Sequence, residues 1–349
     1  MRPILLMFLL FALSFFACET PTDEQVQQTE EQPTKSYPNV GTIEVFDSSL
    51  YDYLSPDAKI EVLAEGFTWS EGPVWVEAIE SVLFSDVPEN KMWQWSEADS
   101  LQLFLDPAGF TGTSEVAAQG SNGLILNKEG QLAICQHGDR RIAILDAPFD
   151  APESSFQTLA DRYEGKRFNS PNDLVFDQAG NCYFTDPPYG LAKQMDDPEK
   201  EIDFQGVYRI NTDGSVDLLT DALTRPNGIE LSNDGKTLYV ANSDPKAANW
   251  TAYDLQADGT LVNERIFYDA TELVGQVEER GLPDGLVVAP NDIIYATGPG
   301  GVWVFEPSGK PLGKIRTMQA TANCTLDEQR NVLYMTADDY LMRLQLLSD

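Results

Sequence analysis

Six polar side chains recur along this 349-residue chain, each followed by a small or short residue and then an apolar run. They are Glu71, Asn122, Asn172, Asn227, Asp284 and Asn323, in steps such as Glu71-Gly72-Pro73-Val74, Asn227-Gly228-Ile229 and Asp284-Gly285-Leu286. Successive members lie 51, 50, 55, 57 and 39 positions apart. If the repeat is radial, all six converge on one axis and bring two carboxylates together with neutral amides. Two buried carboxylates repel one another unless a cation stands between them. Calcium takes roughly six to eight oxygen ligands and mixes carboxylates freely with amide carbonyls. Glu71 and Asp284 match the charge of one divalent ion, and Asn172 and Asn227 add neutral oxygens. About two or more positions then remain for water or substrate. Asn-Gly and Asn-Asp steps also turn a chain into a strand on their own, but Glu is a poor turn former and Glu71 does not suit that role.

Other chemistries find less support. His137 is the only histidine, so a Ser-His-Asp triad has one possible base, and no Gly-x-Ser-x-Gly elbow accompanies it. No dinucleotide or phosphate-cradle glycine motif is present. The absence of a His or Cys cluster argues against zinc or copper as the evolved metal.

The elements that must position the six residues follow from the same repeat. Each step opens a strand, and Asp-Gly, Glu-Gly or Ala-Gly tips join it to a second, as in Leu124–Leu126, Asn127-Lys128-Glu129-Gly130 and Leu132–Cys135. A third strand follows in most units and a fourth closes several, for example Gly206–Ile210 and Val216–Leu219. Four short antiparallel strands in about 50 residues are one propeller blade. The expected fold is therefore an all-β, six-bladed β-propeller over residues 41–349, with a central metal-binding channel. A β-sandwich or two barrels would not need the same polar step at the head of every unit. Ring closure is expected to borrow a strand from within residues 43–67. Two insertions, 187–204 and 271–281, interrupt the rhythm and are expected on the binding face.

The N-terminus reads separately. Arg2, the apolar run Ile4–Leu13 and the Ala17-Cys18 junction describe a secretory signal over residues 1–17, of the lipoprotein kind in which Cys18 is lipidated. Ordinary cleavage near Ala17 without lipid is the alternative. Residues 18–40 then form a flexible acidic tether. The protein is expected to be exported and held on the bacterial cell envelope by its lipid alone. With 56 acidic residues against 23 Lys and Arg and a net charge of −33, nucleic acid and anionic headgroups are poor partners. Cys135, Cys182 and Cys324 lie far apart within strand patterns and read as buried free thiols.

Several motifs resemble one family. Ser70-Glu71-Gly72-Pro73-Val74-Trp75, Phe168-Asn169-Ser170-Pro171-Asn172-Asp173, Phe184-Thr185-Asp186-Pro187-Pro188-Tyr189-Gly190, Arg225-Pro226-Asn227-Gly228 and Leu282-Pro283-Asp284-Gly285 look like those of the gluconolactonase and regucalcin (senescence marker protein) family. The resemblance implies a six-bladed propeller with one divalent cation in its channel: calcium first, with magnesium, manganese or zinc behind it. Glu71, Asn227 and Asp284 would be metal ligands, and Asn172 a further ligand or a substrate contact. The run Gln136-His137-Gly138-Asp139-Arg140-Arg141 resembles the bacterial gluconolactonase branch and would place His137 near the channel mouth, where it and Asn122 would meet substrate. Animal members carry an Arg two residues before the Asn equivalent to Asn172; here that place is Ser170.

The expected activity is metal-assisted opening of a lactone ring, most simply a sugar lactone. The carbonyl would be polarised by the cation while Asp284 accepts the proton of the attacking water. Two alternatives keep the same residues: a phosphotriesterase, and a cell-surface binding propeller whose ion is structural.

Overall fold

The β-branched and aromatic runs between the Gly- and Asp-tipped turns pair into six antiparallel blade sheets, and Arg162–Tyr163 and Lys166–Arg167 form a separate two-stranded ribbon. The computed structural model describes residues 35–112 and 119–347. The expected leader, Cys18 and the tether as far as residue 34 lie outside the described residues. Blade one comprises Ser70–Val76, Ser81–Asp86, Lys91–Ser96 and Ser100–Leu105. Blade two begins at Ser121–Leu126, blade three at Leu174–Phe176, blade four at Pro226–Leu231, blade five at Leu286–Val288 and blade six at Thr321–Asp327. The six-bladed propeller expected from the repeat is the fold observed.

The core is divided among the blade interfaces. Val74, Leu83, Met92, Leu124 and Ile134 fill the space between blades one and two. Phe168, Phe184 and Tyr208 fill that between two and three, and Trp250, Trp303 and Phe305 that between four and five. Because the blades are covered on both faces, second strands such as Ser81–Asp86, Leu132–Gln136 and Cys182–Asp186 are buried along their whole length. Cys135, Cys182 and Cys324 are buried free thiols in these layers.

The ring closes with a borrowed strand, as expected. Blade six takes three strands from the C-terminal segment, Thr321–Asp327, Val332–Ala337 and Tyr340–Gln345. Ile60–Glu65 supplies the fourth, pairing with Tyr340–Gln345. The N-terminal segment also adds two short strands the sequence did not suggest. Asn39–Val40 pairs with Ile60 and Glu61, and Thr42–Val45 pairs with Pro311–Arg316 on the outer edge of blade five. Blade six is thus a clasp between the two ends of the chain, and Ile60, Val62, Met342 and Leu344 bury its apolar face.

A chain beginning at Tyr37 should therefore melt in one cooperative transition like the full chain. A chain beginning at Phe67 leaves Tyr340–Gln345 as an open edge over exposed core and should lose that transition. Calorimetry of the two truncations checks this, and equal melting would show that the ring closes without the N-terminal strand.

Candidate functional site

Each blade's innermost strand carries one of the six recurring residues at its channel-mouth end or just before it. The inner strands meet so closely that a side chain beside the polar residue often has no room. A Cβ on Gly228 would lie 2.1 Å from the Asp284 carbonyl oxygen, and one on Gly72 would lie 2.1 Å from that of Asn122. Hydroxyls on second strands bridge to the carbonyls of neighbouring blades. Ser85 Oγ donates to the Asn122 carbonyl at 2.9 Å, Thr185 Oγ1 to that of Asn227 at 2.6 Å and Thr297 Oγ1 to that of Ala322 at 2.8 Å. Ser243 Oγ donates to the Pro283 carbonyl, immediately before Asp284.

A second device fixes the approach to the ring. Asp186, fully buried at the end of its strand, accepts from the backbone N–H groups of Asn169 (2.7 Å) and Ser170 (2.8 Å), just ahead of Asn172. Asp86 receives the Thr68 and Trp69 N–H groups ahead of Glu71, and Asn242 receives that of Arg225 ahead of Asn227. Burial pushes Asp186 up to about 7 against the pull of those donors.

Glu71, Asn122, Asn172, Asn227 and Asn323 are all buried, and Asp284 is half-buried. The Glu71 carboxylate accepts from the Gly72 N–H at 3.1 Å and Trp69 Nε1 at 3.4 Å. Asn227 Nδ2 donates to Ser243 Oγ at 2.9 Å and also helps stabilise the Asp284 carboxylate. Burial comes first in holding both Glu71 and Asp284 above the ordinary carboxylate range, and their mutual repulsion adds to it for Asp284. Asp284 Oδ1 and Asn122 Oδ1 are buried with no partner among the described residues. Unpaired buried oxygens beside mutually repelling carboxylates are what a hard cation and its ligands would satisfy. Among the described residues no three His, Cys, Asp or Glu side chains gather as a metal site, so amide oxygens would have to complete the donor set. The residues fit calcium or another oxygen-seeking divalent ion better than a soft metal.

The channel holds more acid than the two expected carboxylates. Asp173 occupies the position that is glycine in four of the other steps, and its Oδ2 receives Asn323 Nδ2 at 3.4 Å, from blade three to blade six. Burial raises Asp173 to about 7. Glu230, three residues after Asn227, rises to about 8 through burial, with Asp173 contributing. Asn323 does more than turn the chain, because its amide also helps stabilise Glu71. The sequence signal for Asp173 was its break from the glycine pattern; Glu230 had none.

The mouth is shaped by the first insertion. Ser170, at the place of the animal branch's Arg, is fully buried; its Oγ donates to the Pro187 carbonyl at 2.6 Å and accepts from the Gly190 N–H at 2.8 Å. It holds the insertion and is closed off from the channel. Tyr189, which sequence reasoning did not select, hydrogen-bonds toward Ser243, and its phenol is pushed up by burial and then by the Asp284 carboxylate. His137 sits at the mouth end of blade two, its N–H bonded to the Gly120 carbonyl at 3.0 Å. Its ring is buried, which lowers it to about 3 and keeps it neutral. Nδ1 faces Gln119 Oε1 at 3.1 Å, and Nε2 has no partner among the described residues.

The chain matches the SMP-30/Gluconolactonase/LRE-like region model over residues 69–339. A gluconolactonase of Zymomonas mobilis is 36% identical over 311 residues, covering 88% of this chain and 86% of that protein. A regucalcin of Macaca fascicularis is 29% identical over 80% of this chain and 86% of its own. The solved structure of a gluconolactonase of Xanthomonas campestris superposes with a TM-score of 0.76 at 31% identity, covering 91% of this chain and 99% of that one.

The raised acids set a pH dependence. Asp173 and Glu230 ordinarily titrate at 3.8 and 4.5, against about 7 and about 8 in the folded chain. Their contribution to stability is full below the ordinary values and is lost as pH rises through the folded ones. In protein stripped of divalent ions the melting temperature should fall from about pH 5 to pH 8, and the increment from added calcium should grow over the same range. Scanning fluorimetry at matched ionic strength measures both. A calcium increment that is constant or shrinks with pH would contradict the arrangement.

Proposed function

Because the chain belongs to the SMP-30/gluconolactonase/LRE-like family, we propose that it is a lactone hydrolase, opening a sugar lactone with the help of one divalent cation, calcium first. The observation that carries this reading is the convergence of Glu71 and Asp284 with an unpartnered Asp284 Oδ1. Glu71, Asn227 and Asp284 would hold the ion, with Asn172 as a further oxygen donor or a contact to substrate. When bound, the ion would polarise the lactone carbonyl.

The chain's own groups supply the rest. Asp284 would accept the proton of the attacking water. The Asn227 amide and the Gly285 N–H restrain that carboxylate. The Asn122 amide oxygen, without a partner among the described residues, would receive a substrate hydroxyl. His137, neutral and with Nδ1 directed at Gln119, would offer Nε2 as an acceptor to another hydroxyl. Tyr189 would wall off bulk water on the Asp284 side.

Glu71→Gln and Asp284→Asn should each weaken calcium binding measured by calorimetry and lower aldonolactone turnover by about a hundredfold or more. Aryl lactones and phosphotriesters belong in the same assay. Turnover of the phosphotriester alone, or full lactone turnover by Asp284→Asn, would overturn the reading.

We also propose that residues 1–17 direct export and that Cys18 is lipidated, leaving the propeller on a short acidic tether at the cell envelope. The Arg2, apolar-run and Ala17-Cys18 pattern supports this. Cys18→Ala should abolish incorporation of labelled fatty acid and release the protein from the membrane fraction with lactone turnover intact. Labelling that survives the substitution would refute lipidation at Cys18.

A further inference from the structure

A cavity of about 560 Å³ opens beside the channel mouth, between the His137 loop and the first insertion, with Arg140, Arg167, His137, Tyr189, Asp197 and Glu199 in its walls. Two polar atoms of those walls are buried without a partner among the described residues, Arg140 Nη2 and His137 Nε2. Their residues are only 4% and 1% exposed. The rest of the Arg140 guanidinium is committed, with Nε donating to the Phe168 carbonyl at 2.6 Å and Nη1 to that of Glu199 at 2.9 Å. Arg167 is half-buried, and its guanidinium makes a marginal bond from Nη2 to the Asp139 carbonyl at 3.5 Å.

No ion pair is formed among the described residues by Arg140 or Arg167, nor by Arg225 or Arg280, whereas Arg141, Arg209, Arg265, Arg316, Arg330 and Arg343 each form one. The acids nearest Arg140 and Arg167 act on them through space, and most of those acids also accept backbone N–H groups. Asp186 receives the Asn169 and Ser170 N–H groups, Asp197 those of Lys193 and Glu199, and Glu201 that of Arg167. Glu199, whose carbonyl takes Arg140 Nη1, is solvent-exposed. A desolvated guanidinium with one direction unfilled, beside a second cation, calls for an oxyanion. In a chain of net charge −33 such a place does not arise from a general excess of base.

We propose that this cavity binds the carboxylate or phosphate of an acidic sugar, so that the preferred substrate is a lactone bearing an anionic group away from the ring carbonyl. The Arg140 Nη2 N–H and the Arg167 fork would take the oxyanion, while His137 Nε2 receives a sugar hydroxyl. Tyr189 links the two regions, because it walls the cavity and its phenol lies beside Ser243 and Asp284. The substrate class rests on the lactonase reading; the anion site does not, since it requires binding and no turnover.

Calorimetry of the full chain with D-glucuronate, D-glucose 6-phosphate and D-glucose tests it directly. One or both acids should bind and glucose should not, and which acid binds names the group. Arg167→Gln removes one cation, and Ala192→Glu places a carboxylate at an exposed position of the cavity wall. Each should weaken the bound acid about tenfold or more, with melting curves verifying the fold. Acids that fail to bind at about 10 mM, that bind no better than glucose, or that bind Ala192→Glu as they bind the unaltered chain would overturn the proposal. Acid binding without turnover of any lactone would keep the anion site and remove the lactonase reading; lactone turnover without acid binding would do the reverse.

Discussion

Six strands that converge on one axis leave no room for ordinary side chains beside it, and most of this molecule's organisation follows from that crowding. Gly72 and Gly228 are tolerated where they stand because a carbonyl from the next blade takes the space of their missing Cβ. The same closeness lets Ser85, Thr185 and Thr297 reach across to a neighbouring blade's carbonyl. Those bonds satisfy backbone groups that would otherwise be buried unpaired at the channel wall. They also fix the inner strands in register, so the side chain one position before each glycine is aimed at the channel with little freedom. A mouth built this way is rigid before any ligand arrives, as a polar site in a dry channel requires.

Rigidity has an electrostatic cost. Glu71, Asp173, Glu230 and Asp284 share a space where burial disfavours their ionised forms; Glu71 raises Asp284, and Asp173 raises Glu71, Glu230 and Asp284. Protonation relieves part of this at low pH; a bound divalent ion would relieve it at neutral pH. Asn323 tempers it within the protein by touching both Asp173 and Glu71 from the opposite wall. The deeper pair, Asp173 and Glu230, is tied to neighbouring backbone by the Leu174 and Leu231 N–H groups. The mouth pair keeps an oxygen unpartnered at Asp284. That difference separates acids built into the wall from acids left available.

What could be read from the sequence was what repeats. The spacing of Glu71, Asn122, Asn172, Asn227, Asp284 and Asn323 carried the blade count and the convergence of the ring, because both depend on a regularity along the chain. The borrowed closing strand was expected within residues 43–67, and Ile60–Glu65 supplies it. What could not be read depends on which blades face one another. Asp173 and Asn323 meet 150 positions apart across the axis, and nothing local marks the pairing. Ser170 shows the opposite difficulty. Its place suggested a lost substrate contact, whereas its side chain proves to be buried and spent on the Pro187–Gly190 turn.

That turn also explains how one scaffold can separate chemistry from selection. The ring residues are set by backbone crowding, so changing them disturbs the inner strands themselves. The insertion at 187–204 hangs from a few bonds: Ser170 at one end, Arg140 Nη1 on the Glu199 carbonyl in the middle, and Asn169 Nδ2 on the Phe204 carbonyl at 2.9 Å at the other. It brings Tyr189, Leu191 and Ala192 against the His137 loop, and Tyr189 also lies beside Asp284. The channel acids therefore lie on the inner strands, whereas Arg140 and Arg167 lie at the rim, beside the insertion's own Asp197 and Glu199. An anionic group on the substrate would be repelled by the channel and drawn to the rim. The opposition in sign would orient the molecule, with its neutral ring toward Asp284 and its charged end toward Arg140 and Arg167.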